Sequence, residues 1–285
     1  MVRAGMIWWA ALCCAASPVV AQTAGDPGSG SSNKAALPPA ETTTPPVTPT
    51  PAFTITGGAA IVSQYRFRGI SQSDNKPVVQ ATFTVAHSSG FYLSTWGSSA
   101  SANNAVNLGG TEIDVYGGYT HALGKSGVTV DAGLYGYIYP GSRKAVGIDE
   151  SYYEIYGSLA RTIGPVTAKA GAYWAPNQHY FRAFATPTRC NVYEYGELTA
   201  ALPKTALTLH SHLGHTGGGL DYAAHEYLDY AVGAGYKIKA LTFDLSLVGT
   251  NLSRRDTAAF DAAYATTDFH RAAKSVLVGS VTASF

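Results

Sequence analysis

Arg66 and Arg68 stand two positions apart in QYRFRGISQSDNKP (64–77), and Glu112 and Asp114 do the same in TEIDVYGGY (111–119). A spacing of two puts side chains on one face of a β-strand, so each pair presents two like charges in one direction. Like charges so placed call for opposite charge across from them. Glu112, Asp114, Glu154 and Asp229 are the carboxylates expected to face the two arginines. Inside a protein such a cluster either sorts ions by sign or fills a narrow interior with paired charge, and both readings stay open here. His210, His212 and His215 form a second group. His210 and His212 share a strand face and are candidate transition-metal ligands, set against ordinary lumen or surface histidines, because no Cys or carboxylate completes the set at a recognisable spacing. Cys190 is unpaired and has no identified base, and no motif gathers a nucleophile, a base and an orienting group. GHTGGGLDYAAH lacks the lysine of a phosphate-binding loop. No catalytic residue and no cofactor is expected.

The elements that must position these groups are strands. After Pro51 no stretch carries a convincing helical period, whereas short alternating segments bounded by Gly, Pro, Asn and Asp follow one another to the end. In VTVDAGLYGYIY (128–139) Val128, Val130, Ala132, Leu134 and Ile138 take one face and Asp131, Tyr135, Tyr137 and Tyr139 the other. About twelve such strands are expected, the first near 53–68 and the last near 273–285. Their connections alternate between tight turns such as HSSG and RTIGP and long stretches such as SASANNAVNLG and LSRRDTAAFDAAYATTDFHRAA. Short turns at one end and long loops at the other describe an all-β fold: a transmembrane antiparallel up-and-down β-barrel with periplasmic turns and extracellular loops. A soluble periplasmic β-protein is the alternative fold.

Composition agrees. Charged residues make up only 13% of the chain, while Gly (31) and Tyr (19) are abundant, which is little charge for a water-facing surface. A formal net charge of +1 excludes a dedicated nucleic-acid surface. The start MVRAGMIWWAALCCAASPVVAQ reads as a secretory signal over 1–21, with a short uncleaved membrane helix as the alternative. Residues 22–52, rich in Pro, Thr, Ser and Gly, read as a disordered periplasmic linker, and 53–285 as the outer-membrane barrel. The compartment permits disulfides, but Cys190 is the sole cysteine after the signal.

SQYRFRGISQSDNKPVVQ, followed by HSSGFYLSTWGS and EIDVYGGY, resembles the TorF-type porins, a proteobacterial family long catalogued as conserved proteins of unknown function. The resemblance covers most of the chain after the linker and is strongest from Ile61 to Tyr119. It implies an outer-membrane barrel with a pore role and carries over no substrate and no catalytic residue. The terminal Phe285 is similar to the signal by which such barrels are presented to the barrel-assembly machinery.

With apolar faces toward lipid, the other face of each strand lines the lumen. In the first strand Ile61, Ser63, Tyr65 and Phe67 are expected outside, with Gln64, Arg66 and Arg68 inside. Asp131, Lys169 and Asp244 join Glu112, Asp114, Glu154 and Asp229 on inward faces, and Arg66, Arg68, Glu112, Asp114 and Glu154 fall in the extracellular half. The preponderance of acids suggests mild cation preference or tolerance of uncharged solutes. Three functions are carried forward: a channel for small solutes or ions, a non-conducting structural or interaction barrel, and an outer-membrane hydrolase. The partners expected are outer-membrane lipid, the assembly machinery and the permeant solute.

Overall fold

The computed structural model describes residues 52–101, 107–183, 190–220, 226–264 and 268–285. The expected signal and nearly all of the linker lie outside the described residues. Twelve antiparallel strands close into a barrel: β1 (Phe53–Val62), β4 (Val78–His87), β5 (Phe91–Ser99), β6 (Thr111–Ala122), β7 (Val128–Ile138), β8 (Tyr152–Ile163), β9 (Val166–Ala175), β10 (Asn191–Ala201), β11 (Leu207–Gly218), β12 (Tyr227–Ile238), β13 (Leu241–Thr250) and β14 (Val276–Ser284). Each strand pairs with its sequence neighbour. β14 returns to β1, with Gly58 opposite Ser284 and Val62 opposite Ser280, so no edge is left unpaired. Closure satisfies the backbone without water, the condition for crossing a bilayer.

Alternation fixes which face meets lipid. Ile61, Val79, Leu93, Leu134, Leu159, Leu198, Leu213, Leu245 and Leu277 are exposed on the outside, an apolar belt that only a membrane would cover. Trp174 is exposed toward one rim, where amphipathic aromatics sit at the membrane interface. Strands of this length cross when tilted, and the barrel is an outer-membrane one. The connections 88–90, 123–127, 164–165, 202–206 and 239–240 are tight, while 63–77, 100–110, 139–151, 176–190, 219–226 and 251–275 are long.

Two expectations need correction. The first barrel strand stops at Val62, not near residue 68. Residues 63–77, here loop 1, turn back into the lumen as a small hairpin of β2 (Arg66–Phe67) and β3 (Ile70–Ser71). Every residue from Gln64 to Ser73 is buried. Tyr65 and Phe67, expected to face lipid, instead pack on Trp96 and Tyr137 inside the barrel. An in-folded hairpin also alternates, so the pattern ran on although the wall had ended. Helices are the second correction. Loops carry α1 (Ser142–Val146), α2 (His179–Ala183), α3 (Arg254–Tyr264) and α4 (Phe269–Ala273). For α3 the residues SRRD form a reciprocal cap: Ser253 N–H donates to Asp256 Oδ2 at 2.8 Å and Asp256 N–H to Ser253 Oγ at 3.4 Å.

Candidate functional site

The hairpin tip is built by Arg68 and Gly69, at φ 46° and 77°, between the paired residues Phe67 and Ile70. Positive φ at both central residues is the habit of a type I′ turn, whose twist matches its flanking strands. Gly69 is required twice over, since a Cβ there would lie 2.6 Å from Gly249 O and from Thr250 Cγ2. Arg68 has no such excuse, because left-handed backbone costs a non-glycine residue about 1 kcal/mol.

What Arg68 gains is an ion pair. Its Nη2 donates to both oxygens of Glu154, at 2.7 and 2.8 Å, with both side chains fully buried. Its guanidinium carbon also lies 4.5 Å from the centre of the Tyr193 ring and 4.7 Å from that of Phe67, within cation–π range. Tyr137 Oη donates to Glu154 Oε2 at 3.0 Å, and Tyr227 Oη donates to Arg68 O at 3.2 Å. The tip therefore grips β7, β8, β10 and β12 at once.

Arg66 does a different job. Its Nε donates to Gln64 Oε1 at 3.0 Å, Nη1 to the carbonyls of Gly69 at 2.7 Å and Lys274 at 2.9 Å, and Nη2 to Asn75 Oδ1 at 3.2 Å. Those acceptors are neutral, and burial pulls the guanidinium down to about 10, still charged at neutral pH. Arg66 thus holds the loop in shape and ties it to the last outer loop. There Ile70 packs with Phe269, Leu252 and Tyr227, and Arg271 bonds Asp74.

The four expected carboxylates line the same outer half. Glu112 Oε1 accepts from Tyr65 Oη and Tyr139 Oη, both at 3.1 Å, and Asp114 Oδ2 accepts from Tyr135 Oη at 2.8 Å. Asp229 Oδ1 accepts from Tyr193 Oη at 2.9 Å and lies 3.1 Å from His212 Nε2. All four are nearly or wholly buried, at 0% (Glu112), 2% (Asp114), 0% (Glu154) and 3% (Asp229) exposure. Of these four, Glu154 is the one paired with an arginine among the described ion pairs. Among the described residues Glu112 Oε2, Asp114 Oδ1 and Asp229 Oδ2 are buried without a hydrogen-bond partner.

Nearer the periplasm the lumen is wetter. Lys169, Glu197 and His212 stand in one cross-strand row, with Lys169 Nζ 3.8 Å from Glu197 Oε2 and His212 Nδ1 3.3 Å from Glu197 Oε1. His210 Nε2 lies 2.7 Å from Asp244 Oδ2. The Lys169 side chain is 33% exposed and that of Asp244 25%, against 0% for Arg68 and Glu154, so water reaches this row but not the plug. Asp131 accepts from Tyr92 Oη at 2.9 Å. His215 points the other way, toward Glu194 and Glu226 on the outer surface. The described residues contain no group of three or more His, Cys, Asp or Glu able to hold a metal ion.

Sequence reasoning missed Glu197, Tyr193 and Tyr195. In NVYEYGELTA glutamates fall on both faces, so charge does not mark the lumen, but the tyrosines at 193 and 195 do. It placed Asp229 in the lumen but did not bring it to His212, because Glu197 and Asp229 come from the two strands that neighbour β11.

Among solved structures, the chain is similar to a KdgM porin in complex with disordered oligogalacturonate, at 12% identity and TM-score 0.49, covering 81% of this chain and 98% of that one. It is similar to an outer membrane channel from Pseudomonas putida F1, at 12% identity and TM-score 0.48, covering 86% and 99%. A third likeness is to LpxR from Salmonella typhimurium, at 8% identity and TM-score 0.41, covering 81% and 99%. None of these likenesses carries a ligand or an activity to this chain. No curated protein matches the sequence significantly. Residues 47–285 match the model of a family described as "Bacterial protein of unknown function (Gcw_chp)", and the chain belongs to that family.

Proposed function

We propose that this barrel is an outer-membrane channel of the TorF porin type for passive passage of small solutes or ions, with loop 1 as its constriction. The observation that supports it most is the division of the lumen. A polar row of Asp131, Lys169, Glu197, His210, His212 and Asp244 stays accessible toward the periplasm. The outer half is closed by a single hairpin held through Arg68, Arg66 and the tyrosine-bonded carboxylates. A wall built merely to be filled would be cheaper in apolar side chains, because desolvating paired charge returns little stability. Glu112, Asp114, Glu154 and Asp229, with Gln64 on the loop, then form the narrow segment, and their sign favours cations. Outer-membrane lipid covers the exterior, and the terminal strand with the exposed Phe285 is the part the barrel-assembly machinery would read.

A bilayer recording of reversal potential under a salt gradient tests both the pore and its sign. Cation preference that falls when Glu112→Gln and Asp114→Asn are combined is expected, and unchanged conductance and selectivity would remove the cluster from permeation. The close packing of residues 64–73 favours a second reading, a barrel that never conducts. A folded wild type and a folded loop-1 deletion that are both silent would establish that reading instead. For the hydrolase reading the described residues offer a Ser89–His87 contact of 2.7 Å in an exposed turn. Phospholipid or ester hydrolysis by the purified protein, lost on Ser89→Ala, would revive it.

A further inference from the structure

The seated arginine is itself informative about what the wall binds. Glu154 offers both carboxylate oxygens to one nitrogen at 2.7 and 2.8 Å. Tyr137 orients that carboxylate from behind, and the Tyr193 ring lies 4.5 Å from the guanidinium carbon. Tyr193 is fully buried, its hydroxyl donates to Asp229, and Gly214 leaves the room its ring needs. A carboxylate, a flat aromatic face and hydroxyl-fixed geometry are the parts of a guanidinium receptor. Every one of these wall groups belongs to a barrel strand, not to loop 1.

The surroundings carry more carboxyl groups than the one that Arg68 Nη2 bonds. Glu112 Oε2, Asp114 Oδ1 and Asp229 Oδ2 lack hydrogen-bond partners among the described residues, in residues at most 3% exposed. They face inward from β6 and β12. Below them Glu197 and Asp244 continue the acidic lining toward the periplasm.

We infer that the wall around Glu154 and Tyr193 is a binding site for organic cations bearing a guanidinium group, and that Arg68 is a tethered occupant of that site. Loop 1 closes the pore by presenting the ligand's own chemistry, and a free alkylguanidine displaces it by competition for Glu154. The route by which such a cation arrives rests on the channel reading, while the site itself does not.

The test uses the full chain, purified in detergent, and agmatine as the probe. Calorimetry on the wild type, Arg68→Ala and Arg68→Ala combined with Glu154→Gln is expected to rank them: the single variant binds at least tenfold tighter than the wild type, and the double variant loses at least tenfold again. Equal affinity across the three overturns the proposal. So does equal binding of N-carbamoylputrescine, which keeps the shape of agmatine but replaces the guanidinium with an uncharged urea. Retention of the compact unboiled gel band shows that each barrel is folded. Should Arg68→Ala not fold, Gly69→Ala clears the same site by steric clash and takes its place. In bilayers, agmatine should block the potassium current of Arg68→Ala, and the block should weaken tenfold with Glu154→Gln. Block that ignores Glu154 overturns the site. Calorimetric binding with no current in any variant keeps the site and fails the channel alone.

Discussion

Glu154→Gln is the perturbation that separates a releasable plug from a permanent filling. The change is nearly isosteric and keeps an oxygen to accept from Tyr137, so it removes charge rather than volume. It leaves Nη2 of the fully buried Arg68 guanidinium facing a neutral amide in place of the Glu154 carboxylate. Breaking one half of a buried pair costs roughly 3–5 kcal/mol because the remaining charge stays desolvated. At about 1.4 kcal/mol per tenfold, the ratio of seated to released loop falls by roughly two to three and a half powers of ten. The twelve barrel strands keep their pairings throughout, since loop 1 supplies no rung of the main sheet. The assay is thiol labelling. Ile70, wholly buried at the hairpin, is replaced by Cys in a Cys190→Ser background, and a membrane-impermeant maleimide is added. Labelling should be slow when Glu154 is retained and at least a hundredfold faster when Glu154→Gln is added, while the unboiled gel band is kept. Equal labelling rates in the two proteins would refute a loop held by this pair, and loss of the folded band would show the pair to be part of the barrel's own core.

Gly69→Ala should release the hairpin by a different route, since its new Cβ meets Gly249 O and Thr250 Cγ2 at 2.6 Å; faster proteolysis within 64–77 of the intact barrel is the readout. Leu245→Arg, mid-strand on the lipid face and 56% exposed, should destabilise the barrel by about 2–4 kcal/mol, measured by urea unfolding in liposomes, whereas an inward Ser246→Arg does not follow that depth-dependent cost. In the outer loop 139–151, burial pushes the Glu150 carboxyl up to about 7. A carboxyl whose folded value is raised binds its proton more tightly in the folded loop, so its contribution is complete below the unfolded value near 4.5 and disappears as pH rises through 7. Hydrogen exchange of that loop, corrected for intrinsic rate, should therefore quicken between about pH 5 and 8, and Glu150→Gln should flatten the dependence.

The wall of this barrel was legible where its alternation is clean. From Thr111 to Val115 and from Tyr152 to Tyr156 exposed residues alternate with buried ones, so Glu112, Asp114 and Glu154 could be turned inward without coordinates. The end of β1 was not legible, for a physical reason. Gln64 to Arg68 alternates like a wall strand, but both faces of the hairpin are buried, so periodicity cannot tell a strand facing lipid from one immersed in the lumen. The adjacent Arg68 and Gly69 were the available signal of a two-residue turn. Pairing was beyond reach for another reason. Arg68 meets Glu154 across 86 positions of sequence, and only closure of the sheet decides which of four inward carboxylates lies nearest.

The two arginines show why spacing alone assigns no role. Arg66 and Arg68 share a hairpin and are both buried, yet one ends on neutral carbonyls and amides and the other on a carboxylate. Arg66 would serve any tip, because what it bonds is loop backbone and the neighbouring loop. Arg68 serves only a wall that carries a negative charge, and it occupies a backbone conformation that Gly or Asn would adopt at less cost. Relieving that strain with Asn would strand Glu154 in a region where Glu112 and Asp114 already stand outside the described ion pairs, each with one oxygen unbonded. Charge, not conformation, therefore governs position 68. An apolar tip would close the lumen as well, but on release it would bare apolar surface to water. A guanidinium is solvated outside and ion-paired inside, so release of position 68 itself bares no apolar side chain.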